Sequence, residues 1–293
     1  MNFDLEKERR GLDRKLEALR KKEFIPAALL DIVARTAQLQ LEARAKVQVT
    51  LPAGLTAADT HAQGAPLLPR EHFPYDKAVT AETFGKLLAL MAASGGSMAA
   101  GAQALHKALE AREFSLEEAC SALLQDDQLF FADWSARMPE APSFVRFLVQ
   151  GSMVPSLMAV SDLLAQQRDT ASVWAHGHCP HCGSMPLVAS LKQKEGFRYL
   201  TCSLCRHEYR AKRLQCPFCG EDDHKKLEYF KAEGEPGFEV HVCRSCHCYL
   251  KTSDFRDMDR QSVPVLDDLE SLALDILARE QGFVRPTQSA WGF

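Results

Sequence analysis

The chain reads as an α+β protein: an all-helical N-terminal domain, then two small four-cysteine metal modules of the rubredoxin-like or zinc-ribbon kind, then a C-terminal helix. Two observations predict this. The first 170 residues are rich in Ala, Leu and charged residues and hold a single cysteine, Cys120, whereas eight of the ten cysteines fall into four Cys-x-x-Cys pairs further on. From His176 onward, aromatic and β-branched residues alternate with charges between those pairs, the pattern of short strands. The resulting boundaries are 1–175 for the helical domain, 176–213 for the first metal module, and 214–293 for the second module with its helix.

In the first domain, Phe24 to Val47 is an apolar run with charges on one face, and Ala81 to Ala93 and Met98 to Ala111 are Ala/Leu-rich. Ser115 with Glu118 has the spacing of a capping box, in which each residue satisfies the other's free backbone N–H at a helix start. Further helices are expected over Ser143 to Gln150 and Val154 to Gln167. Pro, Gly and Thr between Leu51 and Pro74 make a long irregular loop, a kind of segment that is usually mobile or functional. Cys120 sits in an apolar helical context and reads as a core residue.

The pairs are Cys179/Cys182, Cys202/Cys205, Cys216/Cys219 and Cys243/Cys246. Each puts two sulfurs on one tight turn, and two such turns supply the tetrahedral four-sulfur set that zinc or a lone iron accepts. Glycine follows two of them, Gly183 and Gly220, where the missing Cβ lets backbone amides turn toward the sulfurs. Residues 206–215 alone separate the inner pairs, so sequential pairing is expected, with the first two pairs holding one ion and the last two the other. Interleaved pairing, with the first and third knuckles sharing an ion, is the rival. Strands are expected at Phe197 to Leu200 and Phe238 to Val242. After Pro264, Leu266, Leu269, Leu272, Ile276 and Leu277 line one face of a helix, and Trp291 and Phe293 equip the tail to dock.

Composition decides between metal and disulfide. A 293-residue chain with 46% apolar residues can bury a sizeable core, so it does not need a disulfide scaffold. Met1 to Arg10 are charged and form no secretory signal, and no stretch reaches the roughly 18 uninterrupted apolar residues of a membrane span. These features predict a cytoplasmic chain with reduced thiols and no membrane insertion. Modules of about 40 residues seldom fold on a hydrophobic core alone, which makes a structural metal the simplest role for both sites. Four thiolates per ion leave no open position for water or substrate, so metal-assisted hydrolysis is not expected.

Seven of the ten histidines, namely His176, His178, His181, His207, His224, His241 and His247, lie in the cysteine-rich segment. Each knuckle is complete without them, so they belong at the surface or around the ligands. Cys248 is a spare thiol on the strand leading to Tyr249.

Ribbons of this kind often bind nucleic acid, and charge tests that. Between Ala171 and Arg256 there are 13 Lys and Arg against 10 Asp and Glu. Eight thiolates and two divalent ions bring that segment to about −1, and the whole chain stands at −4. Only Arg206, Arg210, Lys212 and Arg213 form a locally basic run, so a nucleic-acid partner is not expected. A zinc-ribbon nucleic-acid-binding or regulatory module with structural zinc remains the alternative reading. No Gly-rich phosphate loop, nucleophile elbow or His-Glu-x-x-His is present, and no catalytic residue is assigned.

The strings Cys-Pro-His-Cys-Gly-Ser-Met-Pro (179–186), Leu-Thr-Cys-Ser-Leu-Cys (200–205), Cys-Pro-Phe-Cys-Gly (216–220) and Cys-Arg-Ser-Cys-His-Cys-Tyr-Leu-Lys (243–251) resemble the formate dehydrogenase accessory protein family, FdhE. The resemblance covers 176–256 most closely. It implies a cytoplasmic, non-catalytic assembly factor that associates with the catalytic subunit of formate dehydrogenase and is needed for its maturation. It further implies two iron ions in rubredoxin-like sites on Cys179, Cys182, Cys202, Cys205, Cys216, Cys219, Cys243 and Cys246; spacing alone admits zinc equally. A homodimer is compatible with this reading.

Overall fold

The structure, a computed structural model, describes residues 3–167 and 172–292. In chain order the helices are α1 (Leu5–Leu19), α2 (Ala27–Arg44), α3 (Ala58–Ala62), α4 (Lys77–Ala92), α5 (Gly96–Glu110), α6 (Leu116–Gln125), α7 (Gln128–Arg137) and α8 (Phe144–Ala165). The strands β1 (Pro186–Lys192), β2 (Phe197–Cys202), β3 (Glu208–Ala211), β4 (Leu227–Phe230), β5 (Phe238–Cys243) and β6 (Tyr249–Asp254) come next, and then α9 (Pro264–Glu270) and α10 (Leu272–Glu280). These elements form two compact units. One takes the described residues up to Pro52, Arg70–Asp162 and 290–292; the other takes Ala53–Pro69 and the described residues from Leu163 to Ser289.

The first unit is helical throughout. Its N-terminal helix α1 is not evident in the sequence pattern, because dense charge hides a narrow stripe, Leu12, Leu16 and Leu19, which is buried. Asp4 starts that helix by accepting from the N–H groups of Glu6 and Lys7 at 3.1 Å, and Asp127 starts α7 in the same way through Leu129 and Phe130. At α6 one half of the expected capping box is present, with Ser115 Oγ accepting from Glu118 N at 3.3 Å.

The two helices expected over Ser143–Gln150 and Val154–Gln167 are one. Pro155 lies inside α8 and cannot donate to the carbonyl of Gly151, four residues back. Gln40 Nε2 donates to that carbonyl instead, at 3.0 Å, so the helix continues with its backbone acceptor satisfied. By length and composition α8 could cross a membrane, yet most of it is buried, and Leu148, Val149, Met153, Leu157 and Val160 are among its buried residues. It is the core helix of this unit. Trp291 docks here, beside an apolar cavity of about 260 Å³ that Met91, Met98 and Phe147 also line. Phe293 lies outside the described residues.

In the second unit the six strands form one sheet in the order β3-β2-β1-β6-β5-β4. Neighbours are antiparallel except at the middle, where β1 and β6 run parallel with Ala189 opposite Thr252 and Leu191 opposite Asp254. That seam joins the strands of the two cysteine modules. One face is covered by the C-terminal helices: Phe238, Val240, Val242 and Tyr249 pack with Leu274, Ala278 and Phe283.

The single helix expected after Pro264 breaks at Ser271, whose hydroxyl bonds back to the Asp267 carbonyl at 2.7 Å. Leu266 and Leu269 are buried as the periodicity implies. The break turns the remainder of the segment, so that α10 buries Leu274 and Ala278 and leaves Ile276 61% exposed. Beneath these helices Lys251 reaches Asp268 at 2.8 Å and Asp275 at 2.6 Å, and Arg285 adds a second cation to Asp268 at 2.7 Å. Tyr249 donates to Asp275 at 2.7 Å. The Tyr-Leu-Lys string after the last cysteine pair is therefore a clamp on α9 and α10.

Candidate metal centre

All four cysteine pairs fold into the same knuckle. The N–H of the first cysteine donates to the carbonyl five residues on, from Cys179 to Ser184, Cys202 to His207, Cys216 to Glu221 and Cys243 to Cys248, at 2.8 to 3.0 Å. The residue after the second cysteine must turn left-handed to permit this. It is Gly183 (φ 81°) and Gly220 (φ 80°) in two knuckles, but Arg206 (φ 60°) and His247 (φ 55°) in the other two. A glycine is favoured at such a position and any other residue carries a modest strain.

The knuckles meet sequentially. Cys179, Cys182, Cys202 and Cys205 converge in one group and Cys216, Cys219, Cys243 and Cys246 in the other, with all sulfurs of a group within 4.8 Å of one another. Interleaved pairing is thereby excluded. Sulfur pairs lie 3.7 Å apart for Cys179–Cys205, 3.4 Å for Cys182–Cys202, and 3.7 Å for both Cys216–Cys246 and Cys219–Cys243. A tetrahedron with metal–sulfur bonds of about 2.3 Å has edges of about 3.8 Å, so both groups fit a four-coordinate thiolate metal. Burial pushes the thiols of Cys179 and Cys205 up, while Cys182, against the same burial, is lowered by hydrogen bonds from its three neighbours. In the second group burial raises Cys216, Cys219 and Cys246; burial also opposes ionisation of Cys243, but hydrogen bonds from the Cys246 and Ser245 N–H groups and from the Cys219 and Cys246 side chains together lower it. A bound metal would offset the burial that opposes ionisation of these thiols, because a coordinating thiol is held as thiolate.

The surroundings differ. Around the first group the segment 53–69 closes over the leading knuckle: Leu67 N donates to Pro180 O at 2.8 Å and Leu68 N to His181 O at 3.0 Å. His178 Nε2 meets Gly64 O at 2.7 Å, and His61 stacks on Trp174. The long loop thus has a definite place, one its composition did not reveal. His181 is fully buried and stacks on His207 with ring centres 3.4 Å apart. Among the described residues no histidine joins either four-sulfur group. Beside the second group lies a cleft of about 420 Å³ lined by Cys216, Cys243, Cys248, Arg198, Arg213 and His241 among others.

Cys248 is half-buried and donates to Cys246 O at 3.5 Å, outside both groups. Cys120 is buried in the helical unit, and burial pushes its thiol up to about 12. The basic run does not form a stripe. Arg206 has its Nε and Nη1 sealed from solvent, Arg210 lies 3.8 Å over the Phe197 ring, and Arg213 donates to the carbonyls of Glu195 and Gly196.

Two family models match the cysteine-bearing part: "FdhE, central domain" over residues 178–213 and "FdhE, C-terminal domain" over 214–290. An FdhE homologue of Aquifex aeolicus is 32% identical over 152 residues, 51% of this chain and 52% of that protein. One from Haemophilus influenzae is 44% identical over 112 residues, 37% of this chain and 36% of the relative. These two alignments span about half and about a third of those relatives. Protein FdhE of Salmonella arizonae is 30% identical over 232 residues, covering 78% of this chain and 69% of that one. The crystal structure of the FdhE protein from Pseudomonas aeruginosa superposes with a TM-score of 0.64 at 25% identity, over 96% of this chain and 94% of the other.

Proposed function

This chain belongs to the FdhE family, and from that premise we propose that it is a non-catalytic accessory factor for maturation of formate dehydrogenase, acting in the cytoplasm on the enzyme's catalytic subunit. The observation that carries this reading is the pair of preassembled four-sulfur groups within the segment matched by both family models. We further propose that Cys179, Cys182, Cys202 and Cys205 hold one ion and Cys216, Cys219, Cys243 and Cys246 the other, with iron as the metal. Iron held by four sulfurs supplies one-electron chemistry when bound, and zinc in the same place would supply only a cross-link. The chain's own part is mechanical. Closed ligand sets lock the knuckles and the sheet, so that the surfaces meeting the immature subunit stay rigid and lose little entropy on contact.

Capture of the catalytic subunit by the native chain and by a Cys179→Ser/Cys182→Ser variant tests the reading. Loss of capture or of client activity is expected; unchanged binding with unchanged client activity would remove the first site from the function. Metal analysis with an absorption spectrum on anaerobically purified protein should give two irons per chain with thiolate-to-iron charge-transfer bands. Two zincs and a featureless visible spectrum would overturn the metal assignment alone.

A further inference from the structure

Two arginines of the cysteine-bearing unit, Arg198, which is buried, and Arg206, which is half-buried, have guanidinium nitrogens closed off from solvent and no carboxylate partner among the described residues. Arg198, on β2, is 4% exposed; its Nη1 donates to the carbonyl of Gln215 at 2.8 Å, and its Nε has no partner. Arg206, the residue after Cys205, has both Nε and Nη1 closed off from solvent and likewise unpartnered. Among the described residues neither makes an ion pair. Most neighbouring acids are already committed: Glu239 to Lys231 and His241 at 3.0 Å each, Glu228 to Arg244 at 2.8 Å, Asp254 to Arg256 at 2.7 Å, and Asp268 to Lys251 and Arg285; Asp257 also lines the cleft. A buried guanidinium needs a counter-charge, because burial of an isolated ion is far costlier than burial of a pair.

The sulfurs supply it. Arg198 lines the same cleft as Cys216, and the negative group that acts on it most strongly is Cys216. For Arg206 the strongest attraction comes from Cys202, followed by Asp268 and Cys205. Four thiolates around a divalent ion carry a net charge of −2, and around a trivalent ion −1. A fixed buried cation stabilises the first of these more than the second.

We propose that Arg206 and Arg198 are the counter-ions of the two four-sulfur groups, Arg206 for the first and Arg198 for the second, and that they hold each loaded site in its divalent, doubly negative form. This rests on the reading of both groups as metal sites. It also assigns a task to Arg206 at a knuckle position where Gly183 and Gly220 stand in two of the other three: a side chain is kept there, despite the left-handed backbone, because its charge is needed.

The test uses the full chain loaded with zinc, with stepwise removal by a chelator and the vacated cysteines identified by alkylation and mass spectrometry. Arg198→Gln should release the ion of Cys216, Cys219, Cys243 and Cys246 at a chelator concentration lower by about tenfold or more, leaving the other ion as in the native chain; Arg206→Gln should do the reverse. Arg198→Lys and Arg206→Lys should recover most of the loss, which a purely packing role would not permit. Iron-loaded Gln variants should also show a lower ferric/ferrous midpoint potential at the affected site. The proposal is overturned if Lys behaves like Gln, if metal loss does not follow the assigned site, or if affinity and potential both stay unchanged. A native chain that binds no metal would instead remove the metal-site reading itself.

Discussion

In the first four-sulfur group every cysteine is buried, whereas in the second Cys219 is exposed and Cys246 half-buried. The knuckles are the same in both, so the difference lies in what surrounds them. Segment 53–69 and the His181–His207 stack enclose the first group; a cleft lies beside the second, and its strands lean on α10. One ligand pattern thus yields one enclosed centre and one approachable centre. Metal exchange, oxidation and partner contact should concentrate at the second.

The comparison breaks most visibly on removal of a ligand. Structural zinc contributes roughly 10 to 16 kcal/mol in small peptides, so Cys202→Ser should abolish the first ion and unfold its module. Cys219→Ser, at the rim of the second group, should lose that ion yet keep β5, β6 and the helices behind them, because the apolar layer there persists. Hydrogen exchange read by mass spectrometry distinguishes the two, and equal deprotection would mean that enclosure has no bearing on which site holds the fold.

Asp268→Asn probes the helix side of the contrast. Burial opposes ionisation of Asp268, but Lys251 and Arg285 outweigh it and hold its carboxyl below the ordinary range. Removing one partner of such a buried set typically costs about 3 to 5 kcal/mol. Since the folded value is depressed, this stabilisation is complete above the usual carboxylate value of about 3.9 and is lost as pH falls through the lower folded value. Urea unfolding should therefore show the full deficit at pH 7 and a shrinking one only in stronger acid. A deficit that instead grew on acidification would contradict the assignment.

Accessibility itself can be timed. With a thiol-alkylating reagent, Cys219 and Cys246 should react about a hundredfold faster than the four cysteines of the first group, since the latter require local opening first. Comparable rates would erase the distinction between the sites. The smallest effect concerns two glycines with nearly equal φ. Alanine at either Gly183 or Gly220 should cost about 1 to 2 kcal/mol for the left-handed backbone. At Gly183 the new Cβ would also lie 3.3 Å from Pro66 Cγ, whereas at Gly220 nothing is within 4 Å. Gly183→Ala should be the costlier in thermal unfolding, and equality would show that segment 53–69 yields easily.

The eight cysteines and their knuckles were legible because a tight turn is a local object, written in four residues and a glycine. Contacts beyond local range were not. Nothing in the spacing indicated that β1 and β6 would pair in parallel and join both modules into one sheet, since that contact links residues some 60 positions apart. Capping residues Asp4 and Asp127 were available as signals for α1 and α7. The continuation of α8 past Pro155 was not, because it depends on Gln40, far away in the chain. Arg206 reads as part of a basic run in the sequence, and only the structure shows its Nε and Nη1 sealed from solvent.

Segment 53–69 has a consequence for synthesis. It leaves the ribosome about 110 residues before the knuckle whose carbonyls it binds, an interval of roughly 5 to 20 s at ordinary elongation rates. Throughout that delay the first unit, with its own chain interrupted between Pro52 and Arg70, has a length of polypeptide looped out and waiting. The segment is therefore already free when the leading cysteines emerge, and it can cover their knuckle from that moment on. Any ion destined for this group has to reach its sulfurs before that cover closes or wait for it to open, so the enclosed group should be easiest to fill while the chain is still being made.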